Sequence, residues 1–169
     1  LLFGCVAEAA FIVFEHRKSM LAALLLKALA SLLFVLGGIF AFSLARLFPF
    51  AKLILLGLML GAIGDVCLNL RFLLTDVAKR VFMLGIAFFL LGHVAYLVAL
   101  ATRAPVALLY ALPASAILSF FLIRFVLSRI EVDGAIKVFG IVYLCVVFLM
   151  ASVACTMFLL EPQSTGRAI

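Results

Sequence analysis

Charged residues are scarce in this sequence. They make up 12% of its 169 residues, whereas about a quarter of the residues of a typical soluble domain are charged. Hydrophobic residues make up 70%, and the mean hydropathy is +1.49. A soluble core does not need this much hydrocarbon. The composition therefore excludes a soluble globular domain and predicts an integral membrane protein.

Motifs for several kinds of chemistry are also missing. The sequence has no HExxH, no cluster of histidine and cysteine ligands, no GxSxG elbow and no glycine-rich phosphate loop. Its four cysteines stand singly within apolar runs, and we expect them to be buried as small apolar side chains. We therefore predict neither a metal site nor a cofactor. The net charge of +6 does not indicate nucleic-acid binding, because the lysines and arginines lie mainly between the apolar runs.

Long apolar runs are what the sequence does contain. A membrane-spanning helix needs about 20 mostly apolar residues. By that measure the sequence predicts an all-α fold, a polytopic transmembrane helical bundle of six helices that forms a single domain over residues 1–169. We expect both ends to be incomplete, because the first run is short and the sequence does not begin with methionine. The runs are Leu1–Phe14, Met20–Leu44, Phe50–Leu74, Val81–Ala101, Val106–Leu127 and Ala135–Leu160.

The distribution of positive charge predicts the orientation. The first, third and fifth connections with their flanks hold eight lysines and arginines, and the second, fourth and last hold four. Such residues are enriched in short cytoplasmic loops. We therefore expect a multi-pass protein of a bacterial inner membrane or a eukaryotic endomembrane, with its odd-numbered connections in the cytoplasm.

The third run contains the segment around which the chain is organised, residues 57–69. Gly57, Gly61 and Gly64 are spaced so that a neighbouring backbone can approach closely, and we expect Asp65 on the same helical face. An ionisable side chain within hydrocarbon is costly and by default indicates a functional site. The segment therefore predicts a packing seam and a buried acid on one face of one helix.

Polar side chains from other runs are predicted at a similar depth. Counted from the odd-numbered connections at about 1.5 Å per residue, they lie roughly 8–14 Å into the membrane, apart from one near the midplane. This convergence from several helices predicts a shared site in the cytoplasmic half of the bundle. The residues at 8–14 Å are Glu8, Lys27, Asp65, Asn69 and Tyr143, and the residue near the midplane is His93.

Each of these side chains also has a structural alternative. Lys27 either pairs with Glu8 or extends to the headgroups, and Asn69 and Tyr143 form interhelical hydrogen bonds. Asp65 is the hardest to explain by structure alone. Desolvation would let an acid there keep a proton to donate, whereas a nearby ammonium would favour the carboxylate, and both states stay open.

Two motifs resemble the YhhN-like lysoplasmalogenase family. The first is Gly64-Asp65, and the second is the segment 85–96, GIAFFLLGHVAY, which ends in His93-Val-Ala-Tyr96. Because His93 and Tyr96 are three residues apart on a helix, they can face one site together. Lys27 in the second run, and Tyr143 with Met150 in the sixth, look like further family positions.

The resemblance extends over nearly the whole chain and implies a small helical membrane protein, generally with eight helices. It implies hydrolysis of the vinyl ether bond of lysoplasmalogens to a fatty aldehyde and a glycerophospho-base. It also implies a second acid, in a Ser-Asp motif on a later helix, which we expect beyond Ile169. The expected partners are a lysophospholipid substrate and membrane lipid, without nucleic acid.

The leading hypothesis is a lysoplasmalogenase-like membrane hydrolase. Asp65 acts as an acid or base, and His93 and Tyr96 orient the substrate or water. Two alternatives remain open, a small proton-coupled transporter that uses Asp65 and His93 as a relay, and a non-catalytic lipid-binding subunit. We expect the substrate to contact three further side chains: Lys27, Asn69 and Tyr143.

Overall fold

Helices make up the described part of the molecule. The computed structural model describes Ile12, residues 20–129 and residues 134–160, with Ala135 described by its backbone alone. The elements in chain order are α1 (Met20–Leu44), α2 (Phe48–Leu70), a 3₁₀ turn (Thr75–Val77), α3 (Ala78–Arg103), α4 (Pro105–Leu127) and α5 (Gly134–Leu160). No strand occurs among the described residues.

Five of the described helices are long and apolar enough to cross a membrane. This confirms the prediction of an all-α multi-pass membrane protein. The first predicted run, Leu1–Phe14, lies outside the described residues apart from Ile12, which is helical. Many large apolar side chains of the helices are exposed, as expected where the surrounding solvent is lipid.

The ends of α2 differ from the predicted run by a few residues. The helix begins at Phe48, because Pro49 in its first turn lacks only an N–H group that would have no helical partner there. It ends at Leu70, and the following backbone closes in a turn in which the Arg71 N–H bonds to the Cys67 carbonyl. Asp65 therefore lies five residues from the end of its helix, about 8 Å along the axis.

The chain divides into two compact units, Leu1–Gly92 and His93–Ile169, and the division falls within α3. The prediction of a single domain over the whole chain stays a prediction. The first unit contains α1, α2 and the start of α3, and the second contains the end of α3 with α4 and α5. Each unit is described by itself.

In the first unit, glycines let α2 and α3 approach closely. A Cβ atom on Gly92 would lie 3.0 Å from the carbonyl oxygen of Gly57, and one on Gly64 would lie 2.8 Å from ring atoms of Phe89. On Gly85 it would lie 2.9 Å from a methyl carbon of the Leu68 side chain. The packing seam predicted around Gly57 and Gly64 is therefore the α2–α3 contact, and Gly92 of the second motif belongs to it.

The seam and the acid do not share one face of α2, so this part of the prediction is wrong. Gly64 packs against α3, whereas the Asp65 carboxylate contacts α1. Successive residues of a helix point about 100° apart, so adjacent positions can serve two neighbouring helices. In the Gly64-Asp65 motif, the glycine therefore packs against α3 and the aspartate makes a polar contact with α1.

We expect Gly92→Ala to lower the free energy of unfolding by about 1–3 kcal/mol, because the added methyl group meets backbone that cannot rotate away. The control is Gly37→Ala on α1, where a Cβ would meet nothing within 4 Å. That substitution should be neutral or stabilising by up to about 1 kcal/mol, since alanine is the better helix former. Reversible unfolding in mixed micelles measures both. Equal effects would show that close backbone approach is not what requires glycine at position 92.

The core of the second unit is built from small side chains. Along α4 every fourth residue of a stripe is buried: Ala107, Ala111, Ser115 and Ser119. Ala107 and Ala111 pack against Val153 of α5, which is fully buried. Small residues on a facing stripe let membrane helices pack without a hydrophobic driving force.

The three described cysteines depart from the prediction of burial, and Cys5 lies outside the described residues. Cys145 and Cys155 are exposed on α5, and Cys67 on α2 is half-buried. A thiol is apolar enough to face lipid, so burial is not required within a membrane. All three are free thiols.

Candidate active site

Asp65 is held by two side chains of α1. The Ser31 hydroxyl donates a hydrogen bond of 2.6 Å to Oδ2 of Asp65. The Lys27 Nζ lies 3.6 Å from Oδ1. Lys27 and Ser31 are four residues apart, and therefore project from the same face of α1. Each oxygen of the carboxylate thus has its own partner.

The side chains of the site are partly buried. The side chains of Lys27 and Asp65 are 19% and 23% exposed, and Ser31 is 6% exposed. A carboxylate is purely an acceptor of hydrogen bonds, which suits a hydroxyl donor on one oxygen and an ammonium beside the other.

Asn69 lies one turn after Asp65 on α2. Its side-chain amide donates a 3.0 Å hydrogen bond to the backbone carbonyl of Asp65. This bond runs along the helix and ties the last turn of α2 to the residue that carries the acid. The predicted contact between Asn69 and a substrate stays a prediction.

His93, Tyr96 and Tyr143 form a separate aromatic group in the second unit. The His93 ring lies edge-on to Tyr96, with centroids 6.1 Å apart, and to Tyr143 of α5, with centroids 5.2 Å apart. Edge-to-face contacts of this kind stabilise by about 0.5–1.5 kcal/mol beyond the area that they bury. They fix the orientation of the imidazole.

The six predicted site residues therefore fall into two groups. Lys27, Asp65 and Asn69 belong to the first unit, and His93, Tyr96 and Tyr143 to the second. Their roles in binding or catalysis stay predictions. The predicted alternative partner of Lys27, Glu8, lies outside the described residues.

Ser31 was not predicted from the sequence. A serine within an apolar run has no distinctive pattern, since it commonly bonds to its own helix. The usable signal is its position one helical turn after Lys27, which is the only lysine that stands away from the ends of the predicted apolar runs.

An apolar groove of about 540 Å³ lies between α1 and α2, and Ser31 is one of the residues that line it. Ser31 supplies the one hydroxyl among the described residues that line it. The apolar lining includes Leu32 and Val35 on α1 and Met59, Ala62 and Val66 on α2. Ser31 therefore both lines the groove and donates a hydrogen bond to the carboxylate of Asp65.

A larger groove of about 670 Å³ lies between other parts of the same two helices. Its lining is apolar and includes Phe34, Ala51 and Leu55. No ionisable or hydroxyl side chain of the described residues lines it, so it offers no group for acid or base chemistry.

Arg71 marks the end of α2 nearest the candidate site. Its guanidinium lies 4.6 Å from the ring centroids of both Phe72 and Phe82. Cation–π contacts of this kind stabilise a charge that is partly withdrawn from water. They anchor the end of α2 to α3 within the first unit.

A scan against protein families matches residues 4–169 to the YhhN family. The chain belongs to the YhhN family. Comparison with curated proteins finds no match, and comparison with solved structures finds none either. In this YhhN protein the glycines of the two motifs serve the α2–α3 seam, and Asp65 serves the polar contact with α1. Within the described part of the YhhN chain, no three His, Cys, Asp or Glu side chains are grouped to hold a metal ion.

Proposed function

We propose that the protein is a membrane hydrolase that cleaves the vinyl ether bond of lysoplasmalogens. The observation that supports this most strongly is a half-buried carboxylate in a membrane helix, held by Lys27 and Ser31 beside an apolar groove. Membership of the YhhN family is consistent with it. The carboxylate serves acid–base chemistry, and the groove brings a lipid chain next to it.

Water adds to the alkenyl carbon that carries the ether oxygen, and the carbon–carbon double bond must be protonated first. Protonation of the outer alkenyl carbon leaves an oxocarbenium ion, R–CH₂–CH=O⁺–R′. Asp65 stabilises this cation through its negative charge and takes a proton from the water that attacks it, a logic shared with glycoside hydrolysis. The resulting hemiacetal collapses to the aldehyde R–CH₂–CHO and the alcohol R′–OH.

The proposal gives the remaining residues distinct roles. Lys27 and Ser31 fix the Asp65 carboxylate and its orientation. His93 and Tyr96 orient the substrate or water. A second acid, which the family resemblance implies, gives the first proton. When the hemiacetal collapses, Asp65 returns its proton to the departing alkoxy oxygen and the second acid takes the hydroxyl proton, so both groups regain their starting states. The positive charge of the odd-numbered connections supports a site in the cytoplasmic half of the membrane.

The test uses the full-length protein reconstituted in lipid vesicles. Lysoplasmalogen should yield free aldehyde, while the matched lysophospholipid with a saturated ether at the same position should yield none, because it has no alkenyl carbon to protonate. Accumulation of intact lipid or of another solute inside the vesicles, without aldehyde, would instead support the transporter. Absence of aldehyde together with absence of uptake would contradict both activities.

A further inference from the structure

We infer that the groove beside Ser31 binds the alkenyl chain of the substrate and places its first carbons at the Asp65 carboxylate. This inference rests on the proposed function and adds the location of the chain. The groove is lined by α1 and α2 on either side of the polar contact that joins those helices. A lipid chain in it would lie entirely within the first unit.

The position of Ser31 carries the inference. Ser31 is one of the residues that line an otherwise apolar groove, and its Oγ is 2.6 Å from Oδ2 of Asp65. A hydrocarbon chain that fills the groove therefore brings its ether end to Ser31, whose hydroxyl is the only one among the described residues of the lining. An aliphatic molecule without such an end would gain nothing at Ser31 over a place in the bilayer.

The dimensions of the groove fit one chain. With a volume of about 540 Å³, the groove has room for a segment of one hydrocarbon chain. The single chain of a lysolipid is therefore of suitable size for the groove, as the proposed function requires.

The direction of the chain follows from the lining. Val35 on α1 and Met59 on α2 lie about 6–9 Å along their helix axes from the level of Ser31 and Asp65, on the side away from the end of α2. With the chain extending toward Val35 and Met59, the headgroup remains on the side of the Leu70 end of α2. A lysolipid would enter laterally from one leaflet without withdrawing its headgroup from the interface.

The test is a matched pair of substitutions on one helix. Ala62→Phe fills the groove beside Ser31, and Ala51→Phe places the same ring in the larger groove. We expect Ala62→Phe to lower kcat/KM for a long-chain lysoplasmalogen by about 100-fold, because a small displacement of the reacting bond costs that much. The loss for a short-chain lysoplasmalogen should stay within about threefold. Ala51→Phe should change neither by more than about threefold.

The chain-length comparison separates groove filling from misfolding. A misfolded variant loses activity toward both substrates, and Val35→Phe, which fills the groove from α1, then repeats the comparison from the other wall. Equal losses for long and short chains in both variants, or a chain-selective loss in Ala51→Phe, would overturn the assignment.

A second readout does not depend on hydrolysis. A lysophospholipid with a saturated ether and a photoreactive group within its chain should crosslink to residues 59–66, as mapped by mass spectrometry, and Ala62→Phe should abolish the adduct. If wild-type protein forms the adduct but releases no aldehyde, the proposed function fails and the chain site stands. If it releases aldehyde and the adduct forms elsewhere, the chain site fails and the function stands.

Discussion

Asp65→Asn is expected to lower the rate of aldehyde release from lysoplasmalogen by about 10²–10⁴-fold, the range over which a positioned acid–base group accelerates proton transfer. The asparagine amide keeps the size of the side chain and an oxygen that can accept the hydrogen bond from Ser31. It removes the negative charge that stabilises the oxocarbenium ion and the base that receives a proton from water. The loss should appear in kcat, with a smaller change in KM.

A matched control uses another aspartate. Asp76→Asn makes the same chemical change in the exposed 3₁₀ turn between α2 and α3, and it should leave the rate within about threefold of the wild type. Asp65→Glu keeps the charge but moves it by one methylene, so we expect an intermediate rate. Undiminished aldehyde release by Asp65→Asn would remove this residue from the mechanism.

Ser31→Ala should lower the rate of aldehyde release less than Asp65→Asn does, because it keeps the charge of Asp65 and removes only a group that positions it. The carboxylate keeps the Lys27 ammonium at 3.6 Å but loses the 2.6 Å bond that fixes its other oxygen. Since no group that gains or loses a proton in the reaction is removed, we expect a fall smaller than that in Asp65→Asn. Ser31→Thr retains the hydroxyl and should recover most of the rate.

The helices and the glycine seam could be predicted from the sequence because both depend on local patterns. Apolar runs of sufficient length define spans, and the spacing of Gly57, Gly61 and Gly64 marks a surface that a backbone can approach. The helix that packs against this surface could not be predicted in this way. That Gly64 meets Phe89 and Gly92 meets Gly57 depends on the pairing of α2 with α3, which no local pattern contains.

The partners of Asp65 illustrate the same limit. The sequence identified Lys27 as an expensive charge within a span but left open its pairing with Glu8 or its extension to the headgroups. The contact with Asp65 follows from the packing of α1 beside α2. Ser31 had no signal of its own, yet the spacing of four residues places it on the face of Lys27 once that face is known to meet Asp65.

Local spacing was more informative for the aromatic group. The interval between His93 and Tyr96 predicts that both face one side of α3, and their rings are in edge-to-face contact. The contact of His93 with Tyr143 crosses to α5 and required the fold. Spacing along the sequence thus predicts which residues share a face of one helix, but it does not predict which residues of another helix they contact.

Lys27→Met is expected to lower the free energy of unfolding by about 3–5 kcal/mol, because it leaves the Asp65 carboxylate unpaired within a membrane span. Asp65→Leu alone leaves the ammonium without this partner and should also destabilise the protein. The double variant Lys27→Met/Asp65→Leu replaces the pair by apolar side chains in an apolar setting. We expect it to recover most of the lost stability, since a packed apolar pair often equals or exceeds a buried ion pair.

The coupling energy from this double-mutant cycle tests the pair itself, because effects of Lys27 on its other surroundings cancel between the two arms. Unfolding in mixed micelles supplies the four free energies. Lys52→Met is the control: the same change at an exposed position near the start of α2 should stay within about 0.5 kcal/mol. A coupling energy near zero would mean that headgroups solvate the Lys27 ammonium. The lysine would then belong to the interface, and the fixed orientation of the Asp65 carboxylate would depend on Ser31 alone.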